Sequence, residues 1–307
     1  MLITREAIAL KIETTYKTDP TPNPVNDAIL VSAPSVSNES LRMLERNNIK
    51  PSISTDQQVF AGTLKSISFT AEVKGSGVAG DAPELGQALR CCGLDETISA
   101  GTSVTYQPVS TGHESCTIYY YQDGRLNKLL GCRGTFTMSA ENGGYATISF
   151  EFKGHDGGLV DASFPSLSYV DTLPAPFMGI NFQLDTYGPV INSMSFDLAN
   201  NILTPGDVRD TYGFGEIRIS KRDPNGSIDP ESELLATKDF NSIFESGARM
   251  VLDTGEVGSS AGNKWRFSSS IAIREITLGE RDEVRTDELS FGCHEVGTDD
   301  DFSLVFS

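Results

Sequence analysis

Apolar and polar residues alternate along most of this chain, and no other feature restricts its fold so strongly. In "YATISFEFK", Ala146, Ile148, Phe150 and Phe152 alternate with Thr147, Ser149, Glu151 and Lys153. The same period recurs at Ile67, Phe69, Ala71 and Val73; at Met194, Phe196 and Leu198; at Trp265, Phe267, Ser269, Ile271 and Ile273; and at Phe302, Leu304 and Phe306. Successive side chains of a strand point to opposite faces, so this period describes strands with one buried and one wet face. Antiparallel sheets show that pattern, whereas buried parallel strands read as continuous apolar runs. "DPNG" at 223–226, "QDG" at 122–124 and "ENGG" at 141–144 supply hairpin chemistry between the strands.

Two short helices interrupt the strands. The first is expected to start with Pro83 at its N1 position, to bury Leu85, Ala88, Leu89 and Cys92, and to stop at Gly93. The second takes Asp239 as N-cap, Phe240, Ile243 and Phe244 as its apolar stripe, and Gly247 as its stop. After each helix come a strand, a long strand pair around a turn, and a final alternating strand, "ISFEF" or "FSLVF". The expected fold is therefore mainly β, with two similar small antiparallel β-sandwich or barrel domains, each with a short flanking helix. Their spans are 1–165 and 166–307, joined near "SFPSLSYVDTLPAPF", where Pro165, Pro174 and Pro176 suit an extended linker. One larger β domain with two helices is the alternative.

The formal net charge of −18 argues against a protein that grips phosphate backbones, which needs clustered Lys and Arg. From residue 166 onward there are 24 acidic and 11 basic residues, against 18 and 13 before it, so the second half carries most of the acidity. Charges at Arg5, Glu6, Lys11 and Glu13 break up any signal peptide, and no run is long and apolar enough to span a bilayer. A soluble compartment and no membrane partner are expected. Cys91, Cys92, Cys116, Cys132 and Cys293 are odd in number and lack a CxxC, which suits buried thiols better than a disulfide frame. Without a secretory route, the Asn-x-Ser matches at Asn38 and Asn225 carry no weight.

Several motifs imitate catalytic or cofactor sites. "GSGVAG" at 75–80 matches a dinucleotide-binding turn, and Asp95 and Glu96 follow near the distance of a ribose ligand. The strand before it alternates, however, Asp81 and Glu84 occupy the helix start, and Pro83 removes a donor, so a pyrophosphate would meet carboxylates. The glycines read instead as a flexible or tightly turned loop. "GSSAG" at 258–262 matches a nucleophile elbow around Ser260, but an alternating strand follows where a helix is required, which makes it a hairpin loop. His113, His155 and His294 each have an acidic neighbour, without the spacing of a metal site, and "TDDDF" lacks the glycine and terminal glutamate of a calcium loop. "TIYYYQDG" reads as a strand covered on both faces rather than a sugar-stacking platform. No catalytic residue, cofactor or metal is expected.

An acidic, antiparallel chain with two similar halves and no chemistry suggests an assembly protein. Five segments in order, "REAIALKIETTYKTDPTPNPVNDAILV", "GSGVAGDAPELGQALRCCGL", "VTYQPVS", "CTIYYYQDGRLNKLLGCRGTFTMSAENGGYATISFEFKG" and "DDDFSLVFS", resemble the major tail (tube) proteins of long-tailed bacteriophages. The resemblance implies a virion protein, made in the host cytoplasm, whose long strands join those of neighbours around a central channel and whose rings stack into a tube for DNA ejection. It implies self-association as a three-chain pseudo-hexameric ring or a six-chain ring, and partners such as tape-measure, terminator and tip proteins. DNA would pass transiently and without sequence preference. Candidate stacking or inter-subunit loops are the N-terminal arm through Val31 with Pro20, Pro22 and Pro24, the segment 35–58, and the loop with Gly75, Gly77 and Gly80. Candidate acidic lumen or surface residues are Glu280, Asp282, Glu283, Asp287 and Glu288. A receptor- or carbohydrate-binding β module of a tail tip or fibre is the competing reading.

Overall fold

The computed structural model describes residues 5–307. The start of the expected N-terminal arm, residues 1–4, lies outside the described residues. The first half carries β1 (Glu6–Ile12), β2 (Ala28–Ile29), β3 (Val31–Glu39), β4 (Met43–Leu44), β5 (Val59–Phe60), β6 (Leu64–Glu72), α1 (Gly86–Cys91), β7 (Leu94–Ser99), β8 (Ser103–Pro108), β9 (Cys116–Gln122), β10 (Arg125–Glu141) and β11 (Thr147–Asp161). The second carries β12 (Gln183–Leu184), β13 (Ser193–Asp197), β14 (Asn201–Leu203), β15 (Arg218–Lys221), β16 (Asn225–Ile228), α2 (Phe240–Ser246), β17 (Arg249–Asp253), β18 (Trp265–Arg281), β19 (Val284–Cys293) and β20 (Phe302–Phe306). With 48% strand against 4% helix the protein is mainly β, and its strand pairs are antiparallel as the alternation requires.

Two long hairpins organise the strands. β10 and β11 pair from Arg125–Asp161 to Ser139–Thr147, and β18 and β19 from Ile271–Cys293 to Arg281–Val284. Around them β3, β6, β11, β10, β13, β16, β19 and the C-terminal part of β18 lie side by side. The N-terminal part of β18 pairs with β17 and β20, and β20 continues to β8 and β7. Hydrogen-bonded pairing thus crosses from one half to the other at β10–β13 and at β20–β8, with an isolated bridge between Tyr145 and Pro176 besides. The expected strand order is not repeated: "ISFEF" is itself the second arm of the first long hairpin, whereas "FSLVF" forms β20 after the second.

Every apolar position of the alternating runs is buried, from Ile67 and Phe69 to Leu304 and Phe306. Phe196 is the centre of the core, with ring centroids of Phe267 and Phe302 each 4.8 Å away and Phe136 at 5.9 Å. All five cysteines are free and buried, and burial pushes the Cys293 thiol up to about 12. Such thiols are inert at neutral pH.

Turns and helices follow the sequence with three instructive exceptions. The "QDG" and "ENGG" turns close hairpins, with Gly124 and Gly143 at φ +96° and +77°. "DPNG" does not: β15 pairs with β14, and Asn225–Gly226 opens β16 between β13 and β19. There the glycine serves packing, since a Cβ on Gly226 would sit 2.6 Å from Phe291 and overlap the Ser195 carbonyl. α1 begins at Gly86, because the turn from Pro83 closes with a Gly86 N–H to Pro83 C=O bond of 2.9 Å, an i→i+3 link rather than an α-helical one. In α2, Asp239 caps the Ser242 N–H at 2.9 Å and Gly247 ends the helix at φ +65°. Phe240 is buried and Ile243 half-buried against the core, but Phe244, one turn further along the same stripe, is 43% exposed.

The connecting segment is docked along the body. Ala162, Phe164 and Leu167 pack on Ala7, Ala9, Tyr119, Tyr121 and Leu126, covering the second face of β1 and β9. The Val170 backbone is clasped by Lys74, whose Nζ donates to its carbonyl at 2.9 Å, and by Glu84, which accepts its N–H. Phe177 then stacks on Trp265, with centroids 6.0 Å apart and planes 9° from parallel.

Candidate assembly surfaces

The wet face of the wide sheet is rich in small hydroxylated side chains. One row crosses seven strands through partners in register: Glu72, Thr147, Ser139, Ser195, Ser227, Ser290 and Glu275. Beside it runs a second row of Thr70, Ser149, Thr137, Asp197, Asn225, Gly292 and Ala272. Cross-strand hydroxyl pairs tie the rows together: Thr70–Ser149 at 2.8 Å, Ser139–Thr147 at 3.1 Å and Ser195–Ser227 at 2.7 Å. Ser37 and Ser66 extend the pairing to β3 at 2.7 Å. Such pairs are a recognised source of sheet stability. Behind every hydroxyl lies an aromatic or aliphatic neighbour in sequence, so one alternating pattern makes both the core and this face.

Charge on the face is sparse and mostly negative. Lys153 is held by Glu39 at 2.5 Å, and Arg274, lying over Gly292, is held by Asp223 at 2.6 Å. Glu72, Glu141, Glu151, Asp197, Glu275 and Glu288 share it by strand parity, as does Arg133, the cross-strand partner of Lys153, which is held by Glu216 at 2.8 Å. The five acidic residues singled out from sequence separate on the second long hairpin. Glu288 points to the hydroxyl face, beside Gly279 and Thr286; Glu280 and Asp287 point to the other; and Asp282 and Glu283 form the tip. Both tip residues have positive φ, +49° and +67°, the backbone of a type I′ turn. The wet half of the alternation was readable as Ser and Thr; its continuity across strands from both halves was not.

A second surface is an arm. Between β3 and β6 the chain leaves the body as the small hairpin β4–β5, whose loop carries Ile49 and Ile53 at 105% and 107% exposure. At its root, Arg42 lies 3.8 Å over the Phe214 ring and donates to the Gly213 carbonyl, while Phe60 meets Tyr212 edge-on. Two large apolar side chains fully in water at the end of an anchored arm suit a contact with another molecule.

The other predicted loops are firmly held. Pro22 is buried, and Pro20 and Pro24 are half-buried. Their segment is pinned by Asp19, which accepts from Tyr119 Oη at 2.5 Å, and by Glu13, a buried carboxylate accepting four hydrogen bonds. Lys17 adds an ion pair to Asp210. The two glycine motifs meet each other: Gly77 N–H donates to the Gly262 carbonyl at 2.9 Å, and Gly75 N–H to Asn263 Oδ1 at 3.0 Å. A Cβ on Gly262 would lie 2.5 Å from the Gly77 carbonyl carbon, and one on Gly75 2.8 Å from that of Gly262. Gly80, at φ +81°, approaches Gly101 as closely. Gly75, Gly77 and Gly262 permit backbone contact between loops of the two halves, and Ser260 lies in the β17–β18 hairpin loop, as its context implied.

The histidines stand apart. His113 Nε2 is 2.9 Å from the Val109 carbonyl. His155 is in strand β11; it is 1% exposed and its Nε2 is 3.1 Å from Tyr16 Oη. Burial, with Lys17 adding to it, holds the His155 imidazole below its ordinary pKa, and burial raises the Tyr16 phenol. Asp156 turns away to Lys65. Among the described residues no group of three His, Cys, Asp or Glu side chains is placed to hold a metal ion, and no helix is long and apolar enough to cross a membrane.

Compared with known families, residues 4–291 match the family described as phage tail tube protein. No curated protein matches the chain.

Proposed function

The chain belongs to the phage tail tube protein family, a structural component of the virion, and we propose that its hydroxyl-lined sheet face is the wall of the tube's channel. The observation that carries this is the continuous polar face shared by both halves. Among the described residues its two ends are unpaired edges: β3 on one side, and β18 beyond Ala272, where only β19 pairs, on the other. Joining these edges between copies removes both exposed ladders and closes a barrel. Each half, 1–165 and 166–307, supplies one long hairpin, so three chains give a ring of pseudo-sixfold symmetry.

Passage of DNA follows from what the wall offers. Hydroxyls are small and neutral, Arg133, Lys153 and Arg274 are already paired with carboxylates, and the acids repel phosphate within about 8 Å at physiological salt. Glu288, with Asp282 and Glu283 at the tip, extends the negative potential at the hairpin end, whereas Glu280 and Asp287 face away from the wall. The arm 41–60 reaches the next ring through Ile49 and Ile53, with the Pro20–Pro24 segment and the Gly75–Gly80 loop as secondary contacts. Tape-measure, terminator and tip proteins complete the assembly.

Negative-stain electron microscopy at rising protein concentration tests this. Hollow rings and stacked tubes are expected, with threefold or pseudo-sixfold top views. Discrete globules without a channel would overturn the reading. Replacing Ser139, Ser195 and Ser227 by Arg should leave tubes intact but slow DNA ejection; unaltered ejection from intact tubes would move the channel to another face.

A further inference from the structure

We propose that Lys65 and Asn127 join in an intramolecular amide bond, with Asp156 moving the protons. Lys65 lies on β6, Asn127 on β10, and Asp156 on β11, which runs between them. Lys65 Nζ is 3.1 Å from Asn127 Oδ1 and 2.8 Å from Asp156 Oδ1. Lys65 is 7% exposed and Asn127 8%. The register shift in the β10–β11 hairpin after Asn127 sets Asp156 opposite Leu129, and a bulge of this kind re-aims a side chain.

A buried lysine needs only a carboxylate to be neutralised, so the amide is the informative member. Asn127 Nδ2 donates to Gln122 Oε1 at 3.2 Å, which fixes the amide with its carbonyl toward the amine. Asp156 Oδ1 also accepts the Gly158 N–H at 2.8 Å, which fixes the carboxylate. Tyr120, the cross-strand partner of Asn127, is buried, as are Leu64 and Leu129, so little water competes for Asn127. The hydrogen bond brings the Lys65 amine to the Asn127 acyl group, from which rotation about the side-chain torsions carries it over Cγ, and holding two reactants so close replaces a very high concentration of one of them.

Each atom of the step is accounted for. Asp156 takes a proton from the Lys65 ammonium, and the free amine attacks Asn127 Cγ. The tetrahedral nitrogen from Lys65 passes a proton through Asp156 to Nδ2. The C–Nδ2 bond then breaks with its electron pair on nitrogen, ammonia leaves, and the proton remaining on Asp156 follows it to solvent. No oxidant is needed, unlike a disulfide, and all five thiols here are free. The bond clamps β6 to β10 across β11, behind three strands of the hydroxyl face.

Intact mass spectrometry of the denatured full-length protein decides the matter. The expected mass is one ammonia below that of the sequence, with a branched peptide joining the segments that hold Lys65 and Asn127. Lys65→Met, Asn127→Ala and Asp156→Asn should each retain the full mass, and circular dichroism identifies any variant that is merely unfolded. The unmodified sequence mass in the folded parent protein overturns the proposal. So does an ammonia loss that maps to a cyclised Asn127 with Lys65 free.

Discussion

Replacing Glu13 by Gln should destabilise the protein by about 2–4 kcal/mol, although shape and volume barely change. One carboxylate oxygen accepts the Gly131 N–H at 2.8 Å and the Thr117 hydroxyl at 2.7 Å; the other accepts the Lys17 N–H and the Ser115 hydroxyl, both at 2.7 Å. The residue is 8% exposed, so water cannot substitute. A glutamine places an NH2 group at one of the two positions. The hydroxyl there can rotate and accept from it, but the backbone N–H cannot. One buried donor is left without a partner, at about 1–3 kcal/mol, and the three surviving bonds lose their charge assistance. Urea unfolding followed by tryptophan fluorescence reports the total, and amide hydrogen exchange at Lys17 and Gly131 reports the site. Glu13→Ala removes both acceptors and should cost more than Glu13→Gln. A Gln variant within about 0.5 kcal/mol of the parent, with both amides still protected, would refute the account of Glu13 as the pin of the N-terminal segment.

Three further outcomes are expected. His155 is held below its ordinary pKa by burial, so the unfolded chain binds the proton first; the stability from this site is complete above about pH 6.5 and falls as pH drops below it toward the folded value, and His155→Leu should flatten that slope in thermal melts between pH 5 and 8. Asp282→Asn with Glu283→Gly should raise the melting temperature through about 1 kcal/mol, since both residues now occupy the left-handed region; an unchanged temperature would mean the tip is not a type I′ turn. Gly262→Ala and Gly101→Ala share positive φ, but only the first meets backbone atoms, so Gly262→Ala should cost about 2 kcal/mol more in urea unfolding, and equal costs would show that the two glycine loops do not touch.

Along the alternating strands, the sequence alone determined which residues are buried. A period of two is a local property, and it separated Phe150, Phe196 and Phe267 from Ser149, Ser195 and Ser268 without reference to any distant part of the chain. Local chemistry likewise set the Asp239 cap and the Gly247 stop. Tertiary structure decided which strands are neighbours. "DPNG" carries turn chemistry, yet it opens a strand because Gly226 must fit between Ser195 and Phe291, residues far away in sequence. The proline-containing segment after β11 looks like a linker and is a strap, because Lys74 and Glu84 fold back to hold it. The hydroxyl rows, the meeting of the two glycine motifs and the approach of Lys65 to Asn127 and Asp156 all depend on register between strands. Register is fixed by long-range pairing and bulges, which a one-dimensional pattern does not contain.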